Sequence, residues 1–208
     1  MVPIVFKDDL ELMHFADEFI IKDRLASLEN DVNRCLPTPS SKIEAAGYAP
    51  FPALLYCFSV VDLLGSLYAG NARSRKTTKK AAGYMEKFLK YPKDKVSLLQ
   101  KMYRHKIVHL SQPKGAISDN KQIIAWKHDE RDTSRHLTIE RTPCYVDIPG
   151  GKICCNAQFI ISIVTLKNDI KNSVVRPGGY MEDLRNNTAL RSKFVIAINQ
   201  IFDPAITD

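Results

Sequence analysis

Apolar residues recur at helical spacing over most of this chain. From Asp8 to Cys35 the positions Leu12, Phe15, Phe19, Leu25, Leu28 and Val32 mark one face of a long helix, with Asp8 as its N-cap and acidic residues in its first turn. Pro37 to Ser41 ends it. Phe51 to Gly70 predicts a second helix that is apolar nearly all round. A third runs from a cap at Thr77 or Thr78 to Lys90, with Ala81, Ala82, Met85, Phe88 and Leu89 inward. A fourth follows Pro92, with Asp94 in its first turn, and closes before Gln112, Pro113 and Gly115. Beyond Pro113 the pattern changes to short β-branched and aromatic runs, Ile123 to Trp126, Arg135 to Glu140 and Tyr145 to Ile148, which predict two or three antiparallel strands. A fifth helix is expected from Asn156 to Asn172, with Phe159, Ile163, Leu166 and Ile170 on one face. A sixth spans Tyr180 to Phe202.

These elements make the fold class mainly α: a bundle of four to six helices with a small two- or three-stranded antiparallel sheet inserted after the fourth helix. One domain is expected over residues 1–208, with a helical core at 8–112, a β appendage at 120–155 and C-terminal helices at 156–202. The second helix is long enough to span a membrane, but Asp62 in its middle and Gly65 argue for a buried core helix, and no membrane partner is expected. The start lacks a basic region followed by an apolar run. Five cysteines, two of them adjacent at Cys154 and Cys155, outline neither a disulfide framework nor a zinc ribbon. A reducing cytoplasm suits this composition.

Charge changes the picture more. The chain carries a net +7, yet residues 71–106 hold twelve Lys/Arg against only Glu86 and Asp94, a local +10 that leaves the remainder slightly acidic. Such a concentration suits a polyanion, so RNA is the expected partner, with Arg73, Arg75, Lys76, Lys79, Lys80 and Lys101 as candidate RNA-binding residues. A merely solvated lysine face is the alternative. Asp62 falls on one arc with Phe51, Leu55 and Phe58, where a carboxylate needs a cation or amide donors. It is expected to brace the fourth helix through Arg104 or a backbone amide, unless it reaches solvent.

The fourth helix ends in Tyr103-Arg104-His105-Lys106-Ile107-Val108-His109-Leu110. At 100° per residue Val96, Leu99, Ile107 and Leu110 fall within roughly 40° of Tyr103, a core stripe. Arg104, Lys101, His105 and His109 fall at roughly 100°, 160°, 200° and 240°, off that stripe, so removing Arg104 or His109 should leave stability nearly unchanged. Leu98, Met102, His105 and His109 form a second stripe that reads as a partner-facing seam.

The Arg104-x4-His109 spacing resembles the signature of the HEPN superfamily, whose members are helical, mostly dimeric domains, many of them RNases of toxin–antitoxin, phage-defence and RNA-processing systems. The resemblance covers the four helices from Asp8 to about Gln112, and only the motif is specific. It implies a metal-independent endoribonuclease that acts as a homodimer, joins two motifs in one cleft, and leaves a 2′,3′-cyclic phosphate. Arg104 would hold the phosphate and its transition-state charge, His109 would be the acid/base, and His105 would assist or orient. An antitoxin protein is a further implied partner. Ser111 stands where silenced toxins carry a nucleotidylated tyrosine, so that regulation is not implied here. Neither cofactor nor metal is expected.

Two rival readings remain open. His105 and His109 have the i, i+4 spacing of zinc ligands, and His128, His136, Cys154 and Cys155 offer further donors, but Lys106 stands where a metalloprotease would have glutamate. A non-catalytic RNA- or nucleotide-binding or interaction module is the second, since basic helical domains bind nucleic acid without acting on it.

Overall fold

A computed structural model of the chain describes residues 3–36, 49–73, 76–104, 116–119, 122–129, 134–148 and 150–203. Arg75, His105, His109, the connector from Pro37 and the helix end expected near Gln112 lie outside the described residues. Two compact units are present, each gathered from separate stretches of chain. Unit one takes Met1–Glu29, Ser59–Pro92 and Ile170–Asp208, and unit two takes Asn30–Phe58 and Lys93–Asp169.

The first helix starts where its cap predicts. Asp8 is extended and its carboxylate accepts from the Glu11 amide at 2.8 Å, opening α1 (Asp9–Ala16). The chain continues through wide i→i+5 turns at Asp17–Leu25 into α2 (Ala26–Cys35). The apolar α3 (Pro50–Ala69) is the one helix among the described residues long and apolar enough to cross a membrane, and 56% of its most apolar window is buried within the chain itself. It ends at Gly70, whose φ of +71° is the left-handed turn that closes a helix; the Asn71 amide then reaches back to the Ser66 carbonyl at 3.1 Å.

In unit one, α3 lies against α4 (Thr77–Tyr84), which widens into π-type turns at Met85–Leu89. Lys76, rather than the expected threonine cap, holds the position before the first turn of α4. Gly65 governs the crossing: a Cβ there would fall 2.8 Å from the Ala81 nitrogen and from the Lys80 carbonyl carbon and oxygen. Only a residue without a side chain lets the two backbones approach so closely. Around this contact Tyr84 and Phe88 pack with Tyr180 at ring-centroid distances of 6.0 and 5.5 Å, and the Tyr84 hydroxyl lies 3.0 Å from Ser173 Oγ. Ser173 belongs to α6 (Ile163–Val175). The single helix expected from Tyr180 is instead two, α7 (Tyr180–Asn186) and α8 (Thr188–Phe202), because Asn187 leaves helical geometry and caps α8 by accepting from the Leu190 amide at 3.1 Å.

Unit two is organised on a sheet. The three expected strands appear as β2 (Gln122–Asp129), β3 (Ile139–Glu140) and β4 (Cys144–Ile148), joined by β1 (Ala116–Asp119), β5 (Gly151–Cys155) and β6 (Ala157–Ser162). One sheet runs β1-β2-β6-β3, and β4 pairs with β5. The pairings β1 with β2, β3 with β6 and β4 with β5 are antiparallel, though none joins two of the three expected strands, whereas β2 and β6 run parallel, with Trp126 opposite Phe159. The presence of β6 corrects the expectation of a helix from Asn156: residues 157–162 are strand, and helix begins only at Ile163. β6 buries Phe159, Ile160, Ile161 and Ser162 completely, successive residues that point to opposite faces of the sheet, so its sequence shows no alternation.

The helix after Pro92 is α5 (Lys93–Leu98), continued by π-type turns at Leu99–Arg104. Its Tyr103 crosses the parallel strand pair. The buried hydroxyl donates to the Lys127 carbonyl on β2 at 2.9 Å and lies 3.2 Å from the Phe159 carbonyl on β6. The chain is thus mainly helical, with a small sheet following the Arg104 helix.

Glycines 65 and 83, one in α3 and one in α4, should respond oppositely to alanine. Gly65→Ala must push the two helix backbones apart and should cost about 2 kcal/mol, whereas Gly83, with open space where a Cβ would stand, should gain about 0.5–1 kcal/mol on becoming alanine. Urea unfolding of both variants measures this; equal effects would remove Gly65 from its role in the crossing.

Candidate functional site

The motif helix is buried around most of its circumference. Val96, Leu98, Leu99, Gln100, Met102, Tyr103 and Arg104 are all buried, and Lys101 is exposed. Leu98 and Met102, 3% and 0% exposed, therefore belong to the core of unit two, and the partner-facing seam expected from the angular map is corrected in its apolar half. That map takes 100° per residue throughout. The i→i+5 turns from Leu99 to Arg104 advance each residue by a smaller angle and rotate these side chains out of the expected register.

Arg104 is corrected likewise. The angular map sets it beside the core stripe with little weight in stability, but it is only 6% exposed. A guanidinium held from water needs a full set of polar contacts, so truncating it disturbs the fold as well as any chemistry. Four residues earlier, Gln100 is 5% exposed, and neither its amide nitrogen nor its amide oxygen has a hydrogen-bond partner among the described residues. A buried amide left without partners is costly. Gln100 is thus a polar group on the motif helix that sequence reading passes over, because glutamine in a basic helix carries no signal of burial.

The basic residues separate. Lys76, Lys79 and Lys80 converge with Tyr68, Asn71 and Gly83 on one pocket of about 320 Å³ in unit one. Arg73 is exposed and pairs with Asp203, while its amide and that of Ala72 bond the Gln200 side-chain oxygen at 3.3 and 2.6 Å. Lys101 lies in unit two and Arg75 outside the described residues. Lys80 is the innermost cation of the pocket: its Nζ donates to the Asn71 carbonyl at 2.6 Å. Burial pulls its pKa below the usual lysine value, and the Asp62 carboxylate pushes the other way. Asp62 thus lies in the field of Lys80, one turn before Gly65. Sequence reading misses Tyr68 and Asn71 as site residues, since the first looks like helix core and the second like loop.

Of the donors weighed for a metal, His105 and His109 lie outside the described residues. Among the described residues no group of three or more His, Cys, Asp and Glu side chains is placed to hold an ion. His136 has a different use: its Nδ1 accepts from the Ser162 amide at 3.0 Å where β6 passes into α6, and burial lowers its pKa from 6.5 to about 4.

Two outcomes follow from this burial. Arg104→Ala should lose on the order of 2 kcal/mol or more of stability, while Lys101→Ala on the same helix should stay within about 0.5 kcal/mol of wild type; thermal melts of the pair decide it. For His136, both folded and unfolded chains are neutral above pH 6.5. On acidification the unfolded chain takes its proton first, so stability is lost between pH 6.5 and about 4. The loss should be on the order of 3 kcal/mol. Unfolding free energies across that window should fall less steeply in His136→Asn, which keeps an acceptor but cannot titrate; parallel curves would exclude the imidazole as the cause.

In comparisons with known proteins, the chain matches no family model, no curated protein and no solved structure.

Proposed function

We propose that this chain is a metal-independent endoribonuclease of the HEPN type, acting as a homodimer on RNA in the cytoplasm. The observation that carries the reading is an arginine and a histidine at the Arg104-x4-His109 spacing inside or beside a segment of net +10. Transphosphorylation by a 2′-hydroxyl needs a base for its proton, an acid for the leaving 5′-oxygen, and positive charge on the pentacoordinate phosphate. Imidazoles titrate in the range both proton transfers require, and guanidinium stays charged throughout. One copy holds too few such groups, so two motifs, each with Arg104, His105 and His109, share a cleft. Lys76, Lys79 and Lys80, gathered on one pocket, supply a sequence-independent hold on phosphates. A toxin–antitoxin or defence role, with an antitoxin protein as partner, belongs to the same reading.

The burial of Arg104 favours a second reading, an RNA- or nucleotide-binding module that does not cut, because a guanidinium 6% exposed offers little surface to a phosphate.

Incubating the purified protein with mixed RNA, with and without EDTA, separates the two. The nuclease should cut in EDTA, leave 2′,3′-cyclic phosphate ends, and lose about 10²–10⁴-fold in rate on His109→Ala. RNA that is retained on the protein but left intact would establish the second reading. Cleavage at full rate by His109→Ala would remove that histidine from the chemistry.

A further inference from the structure

We propose that the pocket beside the C-terminal turn of α3 and the first turns of α4 binds the phosphomonoester of a nucleoside 5′-phosphate, as a free mononucleotide or as the 5′ end of an RNA strand. The inference rests on the RNA reading above for its polymer source and deepens it by naming which portion of the strand is held. Lys79 and Lys80 lie in the first turn of α4 and Lys76 at its N-cap, and all three line the pocket. Lys80 is fixed by the Asn71 carbonyl at 2.6 Å, so one ammonium is already positioned before any ligand arrives.

Charge selects the ligand. Three lysines line the pocket, and the Asp62 carboxylate acts on Lys80 against them. A terminal phosphomonoester carries about −1.5 to −2 at neutral pH and gains more from a lysine lining than an internal phosphodiester with its single negative charge. Burial still outweighs Asp62 at Lys80 and holds its pKa below the usual value, a shift that a bound phosphate dianion would reverse.

Size and lining select the rest. At about 320 Å³ the pocket sits at the lower end of the roughly 300–1,000 Å³ range of small-molecule sites, room for one nucleotide and not for a helix of RNA. Tyr68 lines the pocket, its ring held edge-on to Phe88 at a centroid distance of 5.3 Å and faced by the Lys87 and Lys193 ammonium groups at 5.0 and 6.0 Å. Gly83 leaves the opposite stretch of wall open, with no atom within 4 Å of where a Cβ would stand.

Isothermal titration of the full chain at one fixed ionic strength tests this with four probes: a short single-stranded oligoribonucleotide bearing a 5′-phosphate, its 5′-hydroxyl twin, adenosine 5′-monophosphate and inorganic phosphate. The phosphorylated strand should bind at least about tenfold more tightly than its twin. Gly83→Leu, which fills the pocket from a helical position with free space, should erase that preference, and so should Lys79→Gln at an exposed position. Melting curves establish that both variants fold, and Lys79→Gln alone carries the test if Gly83→Leu does not. Competition by the mononucleotide identifies a free nucleotide as a ligand; binding of the phosphorylated strand without it identifies the RNA end. Equal affinity for the two strands, with neither small probe bound, overturns the pocket while leaving RNA binding intact. Mononucleotide bound in a protein that neither binds nor cuts RNA would keep the pocket and end the ribonuclease reading. A preference that survives both variants overturns the assignment of these residues.

Discussion

A single phenolic hydroxyl ties the motif helix to the sheet. Tyr103 precedes Arg104, and its side chain reaches the carbonyls of Lys127 and Phe159 on the two parallel strands β2 and β6. Those strands are joined by their own ladder, so the hydroxyl sits over a pair whose separation is already set. The rings of Trp126 and Phe159 lie 6.5 and 6.1 Å from that of Tyr103 and fix its plane. The last described turn before the motif histidines is therefore docked on a rigid platform. A β insertion that carries no assignable chemistry in its sequence positions the residue on which the proposed chemistry depends.

The second constraint is steric. Because Gly65 has no side chain, α3 and α4 approach to backbone contact, and this brings Lys80 into the field of Asp62 and beside the Asn71 carbonyl. The lysine pocket is a by-product of that approach. A larger residue at 65 would have separated the helices and spread the three ammonium groups. The same contact explains how an acidic residue is tolerated in the middle of an apolar helix: Asp62 is half-buried, and a cation stands across from it.

Much of this is legible in the chain alone. Asp8, Gly70 and Pro92 mark helix ends by local chemistry, a capping carboxylate, a left-handed glycine and a ring that cannot continue a helix, and all three ends stand within a residue or two of the positions those residues predict. Strands β2, β3 and β4 are visible because turns bound them. β6 is not, since a strand buried on both faces reads as an unbroken apolar run, and Phe159, Ile163, Leu166 and Ile170 happen to keep helical spacing across the strand–helix junction. The face assignments around Arg104 fail for another reason. They presume a regular helix, and nothing in Leu99 to Arg104 announces i→i+5 turns. Of the candidate basic residues, Lys76, Lys79 and Lys80 are recognisable as a cluster by spacing alone, whereas Tyr68 and Gly83 become site residues only through the meeting of two helices.

The way the two units share the chain has a bearing on synthesis. Unit two is assembled from stretches that end at Asp169, while unit one still lacks everything from Ile170 onward when that residue is made. Domains generally fold as units, so a unit gathered from separate stretches needs all of them before it is complete. α1 therefore gains the ion pair between its Asp9 and Arg191 at 2.9 Å only after α8 has been made.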